Sequence, residues 1–230
     1  MGVLKHLVSS GKNNTIEYKQ PVKPYHNKIA GIVEELNSES IESIKILDVG
    51  CGVGNTIVSI MNRVESAEFH IADIDKECLD ICESIFTVAS STLMKDISTL
   101  VDDNESKFDI VIYSHVLQYE PNPLDALNML MTLIKPGGHL IVAASNAVTP
   151  IKILNGIIRK KYSSGIYTWD RPTIKNLADQ LLDTGNVAFH YDYVPLPIIY
   201  RYRAGQFVGR GLVKLLPWLS FSLILSVTKN

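Results

Sequence analysis

Apolar positions along this chain follow two alternating rhythms. Short unbroken runs such as IKILDV (44–49) and FDIVIYS (108–114) end at glycine, proline or polar residues. They read as strands buried on both faces. Between them, apolar residues recur every third or fourth position. In YHNKIAGIVEELN (25–37) these are Ile29, Ile32, Val33 and Leu36, and in NTIVSIMNRVES (55–66) they are Ile57, Ile60, Met61 and Val64. Both segments read as helices. The alternation continues with a strand at EFHIAD (68–73), a helix over 75–86 that Asp75 can cap, and a weak strand at STLMKD (91–96). A helix over 123–134, stopped by KPGG, leads into a strand at HLIVAAS (139–145). Alternating strands and helices predict a parallel sheet covered on both sides.

After Ser145 the rhythm changes. A long connection precedes a helix over 172–185, with Gly185 as its stop, and then a strand at NVAFHYDYV (186–194). A second insertion, 195–218, precedes a closing strand in LSFSLILSVTKN (219–230). The expected organisation is one domain over 1–230. It comprises an irregular arm or lid (1–25), a cofactor-binding core (26–146) and late inserts on the substrate side (147–230).

The overall charge of −2 gives no argument for nucleic acid, but the halves differ. Residues 1–150 carry a net −9 and residues 151–230 a net +7. Three cysteines cannot form a fully paired disulfide framework. Cys78 and Cys82 read as reduced thiols on one helix. A zinc site would need two further ligands, and none is evident, so no metal is expected. MGVLKHLVSS lacks the apolar core of a signal peptide. No run approaches the roughly 18 apolar residues of a spanning helix. The expected setting is cytoplasmic, with peripheral membrane contact open.

The chemistry concentrates in ILDVGCGVGNT (46–56), where strand, glycine turn and helix succeed one another. Such a turn lets a ligand approach the backbone. A phosphate loop would need Gly-Lys-Ser/Thr, and no lysine is present. A nicotinamide fingerprint places its third glycine three residues after the second, whereas Gly50, Gly52 and Gly54 are evenly spaced. A bare tight turn remains the plainest alternative.

The segment closely resembles the first motif of class I S-adenosylmethionine-dependent methyltransferases. Supporting motifs follow in order: HIADID, LMKDI, FDIVIYSHVLQYEPNP and LIKPGGHLIVAAS. A later stretch resembles the family's closing helix and strand, with Asn186 where phenylalanine is usual. The resemblance implies a Rossmann-like doubly wound α/β sheet of seven strands, mostly parallel with an antiparallel last strand, and helices on both faces. It implies S-adenosylmethionine as cofactor.

Carried over residue by residue, the resemblance puts Gly50, Cys51, Gly52, Gly54 and Asn55 around the methionine portion of that ligand. Asp48 faces its ammonium group, Asp73 takes the ribose hydroxyls and Ile74 lies on the adenine. Asp96 and the Ile97 N–H meet the adenine edge, and Ser114 and His115 close the site after the fourth strand. His115 is also the candidate catalytic base, since imidazole titrates near neutrality. Packing against the methionine portion is its alternative role.

The late loops are rich in aromatics with polar tips. Tyr167, Trp169, Tyr191, Tyr193, Tyr200 and Tyr202 are candidates to receive a ring-bearing or amphipathic acceptor. Segments 151–161 and 205–221 are apolar and cationic, and either could lie on an anionic membrane. The expected function is methyl transfer to oxygen or nitrogen of a small or lipid-like acceptor, with no DNA partner. A peptide or tRNA substrate, or a role as a non-catalytic cofactor-binding partner subunit, is the alternative. The sequence is silent on oligomeric state.

Overall fold

The computed structural model describes residues 22–38, 43–101, 107–153, 169–181, 185–196 and 203–230. In chain order the elements are α1 (Pro24–Asn37), β1 (Ile44–Val49), α2 (Asn55–Met61), β2 (Ala67–Asp73), α3 (Lys76–Ile85), β3 (Ser90–Leu93) and α4 (Ser98–Val101). Then come β4 (Phe108–Ser114), α5 (Pro123–Thr132), β5 (Ile134–Ser145), α6 (Arg171–Leu181), β6 (Gly185–Tyr191), α7 (Arg203–Leu212) and β7 (Ser222–Lys229). The strands form one seven-stranded sheet in the order β3-β2-β1-β4-β5-β7-β6. β7 is antiparallel to both its neighbours, and the other pairings are parallel.

The strands are apolar throughout because both faces are buried. On one face Leu47, Val49, Val111, Tyr113, Leu140, Val142, Leu223 and Leu225 pack under α4, α5 and α6. On the other, Ile46, Ile110, Ile112, Ile141 and Ile224 pack under α1, α2 and α3. Alternate residues of one strand thus serve two separate cores, which the pleat requires.

Several expected boundaries move. α2 ends at Met61, five residues early, and the weak strand begins at Ser90 and ends at Leu93. KPGG is not a turn outside the sheet. It lies within β5, which pairs Ile134 with Phe108 and then His139 with Ile110, so the four intervening residues are absorbed in an irregular step of the ladder. Gly185 opens β6, and a Cβ there would fall 1.9 Å from the Thr228 carbonyl oxygen of β7. Glycine is needed for that close approach. Asp75 caps α3 as expected, accepting from the Glu77 N–H at 2.9 Å. The short α4 had no periodicity to announce it, whereas α7 largely falls within the 205–221 segment read as able to lie on a membrane.

Between β1 and β4 the strand order reverses. The chain leaves β1 toward β2 and β3, then returns to lay β4 on β1's other side. Loops after β1 and β4 therefore diverge, opening a crevice at the C-terminal edge of the sheet. Its two walls meet where Gly50 packs against Val116.

Candidate functional site

The glycine loop after β1 is held by β2. Gly50 N–H donates to the Ala72 carbonyl at 2.8 Å and Gly52 N–H to Asp73 Oδ2 at 2.8 Å. The glycines serve different ends. A Cβ on Gly54 (φ 80°) would stand 2.4 Å from the Phe86 ring and 3.2 Å from Cys82 Sγ. Gly54 is therefore fixed by internal packing. Gly52 (φ 52°) has nothing within 4 Å of its missing Cβ, so its exposed backbone can meet a ligand. Cys51 turns inward. Its thiol and that of Cys82 both reach the Gly52 carbonyl at 3.4 Å, and the contact with the Cys82 thiol, then burial, push its pKa up. The backbone of Cys51 is left for a ligand, which keeps its expected place in the contact set.

Asp73, buried at the end of β2, accepts from Gly52 N–H through Oδ2 and from Asp75 N–H through Oδ1 at 2.9 Å. A carboxylate oxygen has two lone pairs, so each retains capacity for a ribose hydroxyl. Ile74 beside it is 68% exposed, an open apolar surface at the crevice rim. Asp96 caps α4 through the Ser98 N–H (2.9 Å) and hydroxyl (2.5 Å), and these hydrogen bonds hold its carboxyl below the usual range. Ile97 is buried in the core, leaving its backbone as the ligand-facing part. Asn55 opens α2, half-buried, behind the left-handed Gly54.

Asp48 is buried in β1, and its Oδ2 has no partner. Burial, and then the charge of Asp73, push its pKa up to about 7. Ser114 Oγ, at the end of β4, is likewise buried without a partner. An unpaired buried polar atom is costly. Two of them at the crevice floor mark where a ligand's polar groups belong. The ammonium and sulfonium charges of S-adenosylmethionine suit an unpaired carboxylate, so the residues fit that ligand.

The acceptor side was only partly legible. His115 occupies the left-handed region (φ 58°), rare for a non-glycine residue. Its backbone N–H donates to the Ala143 carbonyl at 2.7 Å, pinning the end of β4 to β5. Its ring lies 4.1 Å from that of Tyr25 and its Nε2 3.1 Å from Ser222 Oγ. Burial, with the charges of Lys23 and Lys152, drives its pKa down to about 3. The imidazole is neutral at physiological pH.

Tyr25 and His26, at the start of α1, were not expected in the site. Pro24 opens the helix, so the chain enters it just beside the crevice. Their rings are 4.1 Å apart, and His26 Nδ1 accepts from Lys23 N–H at 3.0 Å. Burial, with the charges of His115 and Lys23, lowers the His26 pKa to about 3. Burial, with the charges of Asp192 and Asp48, raises that of Tyr25 to about 12. The cleft thus gathers two carboxyls with raised pKa and two imidazoles with lowered pKa. Asp192 is the second carboxyl. Its Oδ1 accepts from the N–H groups of Tyr193 (2.7 Å) and Ser222 (2.9 Å), its Oδ2 is buried without a partner, and burial raises its pKa to about 7. A lone acid in FHYDYV carried no motif signal. Only the antiparallel pairing of β6 with β7 brings it to Ser222.

The aromatic candidates divide. Tyr193 is buried and stacks on Phe221 (centroids 5.7 Å apart), which continues the wall toward Tyr25 and His115 at 6.4 Å each. Tyr191 is half-buried against the core. Trp169 does not line the cleft. It is 5% exposed within the core and bridged to Asn146, so it packs the insert onto the sheet. Tyr167, Tyr200 and Tyr202 lie outside the described residues, as do arm residues 1–21. Asn146 is an unforeseen staple. Its amide donates to the carbonyls of Val148, Trp218 and Ser220 at 3.1, 2.9 and 2.8 Å. His70, bonded to Ser90 and Glu68, is structural, and His139 is half-buried and bonded to Thr228. His190 bonds Ser226 on β7, away from His115.

A family model described as a methyltransferase domain matches residues 23–182. The chain belongs to the methyltransferase domain family. Its crevice residues fit S-adenosylmethionine, as the unpartnered Asp48 carboxylate indicates. Relatives include the ubiquinone biosynthesis O-methyltransferases of Alkalilimnicola ehrlichii and Vibrio parahaemolyticus. The first is 30% identical over 141 residues, covering 57% of this chain and 55% of that protein. The second is 30% identical over 106 residues, covering 44% of each. The chain spans about half the length of the curated relatives it matches. Among solved structures, the magnesium protoporphyrin IX methyltransferase of Synechocystis with bound SAH superposes with a TM-score of 0.62. It is 14% identical over 99% of this chain and 93% of that one. The plantazolicin methyltransferase BpumL with SAH gives 0.62 at 13% identity, covering 92% of this chain and 86% of that one. The cyclase SpnF also shares the fold, at 0.59 and 15% identity over 89% of this chain and 81% of that one. The fold therefore does not name the acceptor.

Proposed function

We propose that this methyltransferase domain methylates a hydroxyl group on a small, ring-bearing acceptor, with His115 touching the reacting oxygen. The observation that carries this reading is the buried imidazole of His115 at the C-terminal end of β4, set in a wall of rings beside the glycine loop, where burial holds its pKa low. A hydroxyl must lose its proton as its oxygen is methylated, whereas a neutral amine already offers a lone pair. A neutral imidazole suits the first case. The names of the ubiquinone O-methyltransferase relatives favour the same chemistry.

When bound, S-adenosylmethionine supplies a methyl group on a positively charged sulfur. Asp48 holds the ammonium end and Asp73 the ribose, with Ile74 and Asp96 along the adenine. Ser114 Oγ fills its hydrogen-bonding need at the methionine portion. Tyr25, Phe221 and Tyr193 confine the acceptor ring. Holding oxygen, methyl and sulfur in line is worth about 7–11 kcal/mol of barrier. His115 accepts the hydroxyl hydrogen bond and so aims an oxygen lone pair at the methyl.

A second observation favours a membrane-associated acceptor. Among the described residues no helix is long and apolar enough to cross a membrane. Yet α7 is inverted for a surface helix. It buries Gly205 and Gly209, while Phe207 (74% exposed), Val208, Leu215 and Trp218 face outward beside Arg210 and Lys214. Segment 203–219 contains no acid. Apolar anchors flanked by cations suit an anionic lipid surface. Ile153, 47% exposed, is the described end of the other candidate segment.

The test is methyl transfer from labelled S-adenosylmethionine to catechol and other phenols by the isolated chain. Aryl methyl ethers are expected. Methylation of amines, peptide or RNA alone would overturn the hydroxyl reading, and donor binding with no product in any fraction would point to a non-catalytic partner.

A further inference from the structure

We propose that Asp192 is an acceptor-binding residue: its unpaired Oδ2 takes a protonated amine carried by the acceptor, whose ring lies along Tyr25, Phe221 and Tyr193 and whose hydroxyl meets His115. The inference rests on the hydroxyl reading above and adds a second feature to the acceptor, a cationic amine. Asp192 stands directly after β6 and is 7% exposed. Its Oδ1 is held by two backbone donors, the N–H groups of Tyr193 at 2.7 Å and Ser222 at 2.9 Å. Its Oδ2 is buried and has no partner among the described residues. Both anchors belong to the acceptor wall. Tyr193 stacks on Phe221 at 5.7 Å, and Phe221 stacks on Tyr25 at 6.4 Å with the ring planes 9° apart. Ser222 Oγ lies 3.1 Å from His115 Nε2. The carboxylate is therefore built into the wall by its backbone bonds, and one oxygen is left over.

A buried carboxylate oxygen without a partner is costly, and a ligand's donor removes the cost. The ammonium of S-adenosylmethionine does not serve here. The other buried carboxyl oxygen without a partner among the described residues belongs to Asp48 on β1. β1 and β7, which carries Ser222, are three strand spacings apart in the sheet, about 14 Å. One ammonium cannot meet both carboxyls. The sulfonium has no N–H or O–H to donate. With the ammonium on Asp48, the partner of Asp192 has to arrive with the acceptor. A neutral hydroxyl would hydrogen-bond Oδ2 but leave its charge buried, whereas an ammonium cancels that charge as well. The wall favours the same choice. Aromatic faces attract cations, and the Tyr25 ring already draws Lys23 Nζ to 5.9 Å from its centroid.

Calorimetry on the full chain with S-adenosylhomocysteine bound reads this subsite without turnover. The probes are tyramine and 4-propylphenol, equal in length and different in the terminal ammonium. Tyramine should bind about ten- to a hundredfold more tightly. Asp192→Asn keeps an oxygen for the Tyr193 and Ser222 N–H groups and removes the charge, so it should bring the two probes to within about twofold of each other. Equal affinities in the wild type would overturn the assignment without any variant, and so would a preference that persists in Asp192→Asn. 2-Phenylethylamine, which lacks the hydroxyl, should compete with tyramine; failure to compete would also overturn the assignment. With labelled S-adenosylmethionine, tyramine should be methylated on oxygen at a lower KM than 4-propylphenol. Ether formation with equal KM for both probes would refute the subsite and leave the hydroxyl reading standing. Asp192-dependent amine binding with no label on any phenol oxygen would refute the hydroxyl reading and leave the subsite standing.

Discussion

Asp48 makes donor binding depend on pH. Its carboxyl is 2% exposed, has an unpartnered Oδ2 and is pushed up to about 7 by burial and by Asp73. A ligand ammonium beside it favours the ionised form. Donor affinity should therefore rise with pH until Asp48 is ionised in the free protein. At pH 6 roughly one tenth of the carboxyls are ionised and at pH 8 roughly nine tenths. Apparent Kd for S-adenosylmethionine should fall about tenfold across that interval, because only the competent fraction binds. Asp48→Asn removes both the charge and the dependence. Its affinity should be weak and flat with pH.

The same substitution should stabilise the fold. A carboxyl with raised folded-state pKa contributes stability that is full below its unfolded value, near 3.8, and lost as pH rises to about 7. Asparagine escapes that loss. Asp48→Asn should gain stability progressively from about pH 4, reaching at most about 4 kcal/mol above pH 7, from a shift of about three units at 1.36 kcal/mol each. Calorimetric titration over pH 5.5–8.5 and urea unfolding at pH 4.5 and 8 measure the two effects. A wild-type affinity independent of pH, or a variant that keeps the slope, would refute the assignment of Asp48 to the ammonium.

Other expectations follow from the same geometry. Asp73→Ala should weaken S-adenosylmethionine binding by about 10²-fold, since charged hydrogen bonds contribute about 1.5–3 kcal/mol each, and unchanged calorimetric affinity would remove Asp73 from the ribose. His115→Asn keeps a side chain that tolerates positive φ, so kcat on phenols should fall about 10²-fold or more with donor Kd little changed; full activity would end the role of the imidazole. Gly54→Ala sets a methyl against Phe86 at positive φ, so unfolding free energy should drop by about 1–3 kcal/mol, and an unchanged midpoint in urea would contradict the packing described for the loop. Replacing Phe207 and Trp218 together with serine should abolish co-sedimentation with phosphatidylglycerol vesicles, and wild-type protein that ignores those vesicles would end the membrane idea.

The donor half of this site was legible because it is local. ILDVGCGVGNT supplies a strand end, a turn and a helix start within eleven residues, and the spacing to Asp73 is one crossover. Backbone geometry and sequence order nearly coincide there. The acceptor half is assembled from distant pieces. Tyr25 precedes the sheet, His115 follows β4, Asp192 directly follows β6, and Ser222 opens β7. No spacing rule links them, because the antiparallel placement of β7 decides their meeting. Trp169 misled for a related reason. An aromatic in a variable loop looks like a pocket wall, and only its bridge to Asn146 shows that it seals the insert to the core.

The central claim is that this methyltransferase domain acts on a hydroxyl of a small, ring-bearing molecule. Incubation with methyl-labelled S-adenosylmethionine and a fractionated host extract tests it most directly. Label should appear in the organic-extractable fraction as an aryl methyl ether, and it should be lost with His115→Asn. Label confined to protein or RNA, or none in any fraction despite measured donor binding, would contradict the account.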